Sequence, residues 1–328
     1  TETCLTLRAL HLDHYRVEIM LGKSGWGWDI RDQLQLGYDD AEPIGVKMLL
    51  AITVIPLPPD ELLSHIDSLA AALKKMRCEP GEVLLFQWKV PVISNELLRL
   101  VLPKLRAVLG KKWRIGVGVQ TNYAELGRNP FEAAGLDFVA YGIQPQEHAF
   151  DDASLVENLE SQADTVRSAR AMYPKQKIYV SPLTLRKRFN PYAQVEMDRF
   201  TEQPPADQHD PRQTTDFGAG WLLGSLKTLA EAGADAVTVF RAAGDAGLLT
   251  ADGHPHPTFE VLRQVQAFAG GTVRLTRSSD KLVCSSLWLE KDGRKTLFLA
   301  NHTARPQHVA GDGWQTELAP HEVKRMDW

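Results

Sequence analysis

Cysteine is scarce: Cys4, Cys78 and Cys284 are the only three in 328 residues. They are odd in number, far apart and never in a CxxC pair, which argues against both a disulfide framework and a structural zinc site. No apolar run approaches the ~18 residues of a membrane-spanning helix, and no basic segment followed by an apolar one opens the sequence. The reading is a soluble, cytoplasmic protein. Surplus charge is lacking too. The net charge is -4 with lysines and arginines scattered, so neither nucleic acid nor an anionic membrane is an expected partner. Oligomeric state is not legible. The composition, 44% hydrophobic and 24% charged, is that of an ordinary globular protein. A chain this long buries well over half of its unfolded surface and suits one large domain plus a small one.

Several chemical motifs are missing as well. Gly22-Lys23-Ser24 resembles the end of a phosphate-binding loop, but Val17 stands where its first glycine belongs. Gly116-Val117-Gly118 lies within a strand, and Thr121 takes the place of the third glycine of a dinucleotide fingerprint. No G-x-S-x-G elbow occurs. His254-Pro255-His256 reads as a solvated loop. No ligand set with metal spacing is visible, and no metal or cofactor is expected.

What is present is a repeat. Ala9-Leu10-His11-Leu12-Asp13-His14-Tyr15, Ala133-Ala134-Gly135-Leu136-Asp137-Phe138-Val139 and Glu231-Ala232-Gly233-Ala234-Asp235-Ala236-Val237 echo one another. Each reads as a helix end, a tight link and a strand, with Gly135 and Gly233 as left-handed caps. Strands are predicted at 15–21, 47–55, 83–90, 114–121, 138–143, 178–183 and 237–241. Between them Leu62, Ile66, Leu69 and Leu73 share one helical face, as do Leu98, Val101, Leu105 and Val108. Ser154-Leu155-Val156-Glu157 reads as a capping box, and a further helix runs from about Asp216 to Gly233. Strands alternating with helices imply a parallel sheet with right-handed crossovers. Polar residues at alternate positions, Arg16 with Glu18 and Gln87 with Lys89, favour a closed barrel over a doubly covered open sheet. The expected fold is α/β: a (β/α)8 TIM barrel over residues 1–268, its first strand lying outside this stretch. A small all-β, sandwich-like domain is expected over 269–328, where Asp292-Gly293 signals a type I′ hairpin and 317–323 a closing strand.

In barrels the reacting groups sit where strands end. Five such places are polar: Arg16 and Glu18, with the tryptophans 26 and 28 beyond; Gln120 to Glu125; Gln144 to Asp152; Thr184 to Arg188; and Arg241. Glu18, Glu125 and His148 are the candidate catalytic groups, able to act as base toward water. Arg16, Trp28, Asn122, Gln146, Asp151, Arg186, Arg212 and Arg241 are the candidate substrate contacts, suited to a hydroxylated or anionic small molecule. Singly, each has a plain structural reading as well: Glu147 as a surface charge, Asp152 as a helix cap, Arg186 as solvated.

Several blocks resemble the D-apionate lactonase family: 10–17, 145–152, 181–186, 210–213 and 217–227, the last reading FGAGWLLGSLK. The resemblance implies a barrel related to glycoside hydrolases and hydrolysis of a sugar-acid lactone. It makes His148, Asp151, Arg186, Asp210 and Arg212 rim residues. It also implies a glutamate where Arg241 stands and threonines in place of Ala242 and Ala243, so a carboxylate role at that position is lost here. A retaining glycosidase is the alternative and needs two carboxylates ~5–5.5 Å apart, drawn from Glu18 or Glu125. A non-catalytic carbohydrate-binding barrel is the third reading, raised by Arg241.

Overall fold

The structure, a computed structural model, describes residues 2–22, 29–187 and 209–328. Trp26, Trp28 and Arg188, three of the residues singled out above, lie outside the described residues. Helix α1 (Glu2–Arg8) leads into β1 (His14–Leu21), followed by α2 (Ile30–Ile44), β2 (Lys47–Val54), α3 (Pro59–Lys75) and β3 (Glu82–Gln87). Then come α4 (Asn95–Leu109), β4 (Arg114–Val119), α5 (Tyr123–Arg128), β5 (Phe138–Ile143), α6 (Asp152–Met172) and β6 (Lys177–Leu183). Helix α7 (Asp216–Glu231) and β7 (Ala236–Val239) complete a seven-stranded sheet in sequential order, every neighbouring pair parallel.

Alternation explains the layers. Along β1, Val17, Ile19 and Leu21 are buried in the same core as Leu34 of α2 and Leu62 of α3. The opposite faces of the strands enclose a separate cluster of Leu49, Ala51, Leu84, Phe86, Phe138, Ala140 and Tyr179. Small residues let the strands curl around it: a Cβ on Gly116 would meet the Phe138 ring at 2.4 Å, and one on Gly118 would meet Phe86 at 2.7 Å. The sheet is therefore a curled half-barrel with a packed lumen. Its outer strands, β1 and β7, share no backbone ladder and are bridged by side chains, with His14 Nε2 2.7 Å from Thr238 Oγ1.

The sequence echoes recur in three dimensions. Gly135 and Gly233 both take φ +82°, and His11, the third member, takes φ +49° in the same place. Two residues on, Asp137 accepts from Ile115 N at 2.7 Å and from Arg106 Nη2 at 2.6 Å. Asp235 does the same with Ile178 N at 2.8 Å and Arg170 Nη2 at 2.6 Å. Each arginine also caps the preceding glycine carbonyl. These clasps lock β5 to β4 and β7 to β6. Asp13, ahead of β1, has no such neighbouring strand among the described residues.

Some boundaries differ from expectation. The third strand ends at Gln87, with Lys89 at φ +60°, and β7 ends at Val239 because Phe240 takes φ +45°. Arg241 instead opens a short β8 (Arg241–Ala243) paired with β9 (Gly247–Leu249). Helix α6 is capped by Asp151, which accepts from Ser154 N at 2.9 Å, so Ser154 is donor rather than cap.

After α8 (Pro257–Gln266) the chain is all-β: β10 (Thr272–Arg274), β11 (Cys284–Lys291), β12 (Arg294–Asn301), β13 (Gln307–Gly311), β14 (Trp314–Leu318) and β15 (Val323–Asp327). The predicted hairpin joins β11 to β12, with Asp292 and Gly293 at φ +52° and +79° as a type I′ turn requires. The single closing strand expected at 317–323 is two strands, broken at Pro320 and at His321, which takes φ +57°. Leu287, Leu289, Phe298 and Ala300 belong to the same core as the barrel helices, so this sheet packs on the barrel without a solvent gap. Among the described residues no helix is long and apolar enough to cross a membrane.

The clasps give a stability test. Asp235→Ala leaves the Ile178 N–H without its acceptor and should cost about 2 kcal/mol, read as a lower urea midpoint at unchanged slope.

Candidate active site

Polar groups enter the lumen from β1 upward. Val17 and Ile19 face the helices, so period-two alternation turns His14, Arg16 and Glu18 inward. Arg16 lies over the Phe86 ring, 5.5 Å from its centroid. Its Nε donates to Glu18 Oε1 at 2.9 Å, Nη2 lies 2.9 Å from the same oxygen, and Nη1 donates to Ser181 Oγ on β6 at 3.0 Å. Arg16 is 7% exposed at its side chain against 34% for Glu18, so the cation is enclosed while its carboxylate partner opens to solvent. Nearby, Gln120 donates to Thr53 Oγ1 at 2.9 Å, tying the end of β4 to β2.

Below them the lumen is closed by a buried acid. Tyr179 donates to Glu82 at 2.9 Å, stacks on Phe138 with centroids 4.3 Å apart, and Arg114 pairs with Glu82. Burial first, and then Glu82, raise the Tyr179 hydroxyl pKa well above the ordinary tyrosine value. Burial also lowers the His14 pKa, although Glu82 and Asp13 pull it the other way. A cavity of about 720 Å³ runs along the seam toward the first residues of the strands, lined by His14, Arg16, Thr238, Lys47, Arg114 and Arg241. It reaches neither Glu18 nor the loops after β5 and β6, and we assign it to the open seam rather than to the barrel mouth.

A second cluster forms beyond the ends of β5 and β6. Gln146, 2% exposed, donates to Asp210 Oδ2 at 2.5 Å. Arg212 grips the same carboxylate through Nε at 3.0 Å and Nη2 at 2.7 Å, and also binds Asp152 at 2.5 Å and the Phe150 carbonyl at 2.8 Å. Burial alone would push the Asp210 carboxyl up, but the hydrogen bonds from Arg212 and Gln146 outweigh it and hold the pKa down at about 2. Arg186 lies over the Phe150 ring at 4.8 Å, with its Nε 3.9 Å from Asp210. Among the described residues that buried Nε donates no hydrogen bond, and Gln146 Oε1 accepts none.

The expected residues therefore divide. Arg16 meets Glu18, and Gln146, Arg186 and Arg212 meet around Asp210. Asn122 is the N-cap of α5, accepting from Ala124 N at 3.1 Å, and Asp151 that of α6. Glu125 is buried, accepting from Arg128 at 2.8 Å and Asn129 at 3.2 Å. Glu18 and Glu125 thus sit in separate ion pairs. His148 is exposed on the loop after β5, and Arg241 is half-buried on β8. Reading the sequence alone passed over His14, Ser181 and Thr238. Alternation from Arg16 back to His14 was a usable signal, whereas nothing local marks the two hydroxyls. Among the described residues no three His, Cys, Asp or Glu side chains gather into a metal-binding group.

The Asp210 cluster carries a pH prediction. Its carboxyl is depressed from 3.8 to about 2, so the stabilisation is complete above pH 3.8 and is lost as pH falls through 2. Asp210→Asn should lower stability by roughly 3 kcal/mol at neutral pH. It should also flatten the acid limb in that window, followed by thermal melts from pH 5 to 2.

Comparison with known proteins adds the following. Residues 1–270 match the model of the D-apionate lactonase TIM-barrel domain. A D-apionate lactonase from Brucella anthropi is 29% identical over 204 residues, 60% of this chain and 33% of that protein. The chain thus spans about a third of the length of this curated relative. Among solved structures, a glycoside hydrolase family 30 subfamily 8 xylanase from Clostridium acetobutylicum superposes with TM-score 0.59 at 12% identity, covering 100% of this chain and 92% of that one. A family 51 α-L-arabinofuranosidase from Bifidobacterium longum gives 0.58 at 12%, covering 98% and 84%. A Ruminococcus gnavus β-glucuronidase in complex with D-glucaro 1,5-lactone gives 0.55 at 10%, covering 81% and 46%. At these identities the structural likeness speaks for the fold alone.

Proposed function

Since the chain belongs to the D-apionate lactonase TIM-barrel-domain family, a family of carbohydrate-related hydrolases, we propose that it opens a sugar-acid lactone by base-assisted attack of water. The observation that carries this reading is the Arg16–Glu18 pair, a carboxylate fixed by an enclosed guanidinium and open to solvent at the lumen. Glu18 takes a proton from water as the water oxygen bonds to the lactone carbonyl carbon. The tetrahedral oxyanion then collapses, the ring C–O bond breaks, and the departing alkoxide recovers the proton, giving a hydroxy acid. Cations stabilise the developing negative charge. Arg186, whose Nε is buried without a hydrogen-bond acceptor among the described residues, is the group suited to the carboxylate that ring opening releases, and Arg241 adds positive charge where β7 ends.

The curated relative's name supports a sugar-acid lactone, and the lumen's hydrogen-bonding groups suit a hydroxylated substrate. His148 is the second candidate base. Arg241, a cation where a carboxylate was implied, favours a binding-only barrel as the competing reading.

The test is proton release, followed with a pH indicator, against a panel of aldono- and apiono-lactones. Glu18→Gln should lower kcat by about 10²–10⁴-fold, while His148→Ala should stay within a few-fold of the unmodified rate. The reverse pattern would move the base to His148. Release no faster than the spontaneous reaction, with lactone still bound, would leave the binding-only barrel.

A further inference from the structure

A single hydrogen-bonded chain crosses the seam. It runs from Glu18 to Arg16, from Arg16 Nη1 to Ser181 Oγ at 3.0 Å, on to Thr238 Oγ1 at 2.8 Å, and ends at His14 Nε2, 2.7 Å away. One direction along it gives every hydroxyl proton an acceptor. Arginine has donors only, so Ser181 Oγ must accept from Arg16. The one hydroxyl proton of Ser181 is then passed toward Thr238. Thr238 has no other acceptor among the described residues, so its own proton points at His14. With Nε2 of His14 as the acceptor every hydroxyl in the chain has a partner for its proton, and the ring is then neutral with its own proton on Nδ1.

The surroundings agree with that neutral ring. His14 is half-buried on the lumen side of the sheet, faced by Glu82 of β3 and Arg114 of β4, with Asp13 from the link ahead of β1 and Arg16 from its own strand. A protonated His14 would leave the Thr238 hydroxyl proton without an acceptor among the described residues and would add a second cation beside Arg16. Arg16, in turn, has little freedom: one nitrogen is held by Ser181, two lie against Glu18, and its face lies over Phe86.

We propose that His14 is a positioning residue: through Thr238 and Ser181 it fixes the Arg16 guanidinium and thereby aims the Glu18 carboxylate at the attacking water. This rests on Glu18 being the base of lactone hydrolysis. The chain joins β1, β6 and β7, so the aim of the base depends on the seam staying closed.

Thr238→Val keeps the shape and removes the hydroxyl, while Thr238→Ser restores it; His14→Phe and His14→Gln form the matching pair. Thr238→Val and His14→Phe should each lower kcat about tenfold, the worth of one hydrogen bond, with KM unchanged. Thr238→Ser and His14→Gln should recover most of the loss. Nitrogen-15 NMR of the unmodified protein at neutral pH should show His14 protonated at Nδ1 and bare at Nε2, a readout independent of any substrate. A proton on Nε2, or full kcat in folded Thr238→Val, would overturn the positioning role. Glu18→Gln in the same assay separates the two ideas. If it is inactive while Thr238→Val is fully active, only the positioning fails; if it retains the full rate, the choice of base fails first.

Discussion

Seven parallel strands leave two edges, on β1 and β7, and in this protein side chains join them where a closed barrel would use a backbone ladder. The His14–Thr238 contact and the Arg16–Ser181 contact reach across the opening from β1. A backbone ladder fixes register over a whole strand, whereas these contacts fix it at two points. Everything the lumen does chemically depends on those points holding.

That constraint accounts for the polarity of the interior. An enclosed guanidinium is costly unless every donor is met and a counter-charge lies close. Arg16 has its counter-charge in Glu18, and each of its three nitrogens has a partner, two against Glu18 and one donating a hydrogen bond to Ser181. Glu82 is treated in the same way by Tyr179 and Arg114. The lumen is thus divided between an apolar layer around Phe86 and Phe138 and two polar groups at its ends, each internally neutralised. Of the two carboxylates, Glu18 is 34% exposed and Glu82 8%, so only the former opens to solvent.

The periodic part of this arrangement was legible in the sequence. All seven strands fall within a few residues of where alternation placed them, because a buried strand face and a helical stripe impose their periods directly. The repeated Gly-x-Asp link was readable for the same reason, though not that His11 adopts the glycine conformation in the first copy. The site was harder. Arg16 and Glu18 could be paired from spacing alone, but Ser181 and Thr238 lie 165 and 224 residues from Arg16 and His14 respectively, and no local signal connects them. Asn122 and Asp151 looked like substrate contacts because cap residues and binding residues share the same side chains and the same loops. Where Phe240 turns to positive φ, periodicity stopped predicting which way Arg241 points.

The position of Arg241 bears on which reaction such a lumen can favour. Cleaving an acetal needs two carboxylates with opposite tasks, one donating a proton to the leaving oxygen and one attacking or activating water. Here Glu18 and Glu125 are each bound up in an ion pair of their own, and the end of β7 leads into a cation. Opening a lactone makes a different demand. One base suffices, the leaving oxygen stays tethered to the product, and the charge that develops is an oxyanion that neighbouring cations stabilise. One exposed carboxylate paired with an arginine is poorly matched to the first reaction and better matched to the second. A cation just beyond the end of β7 therefore weighs more against a glycosidase than against a lactonase.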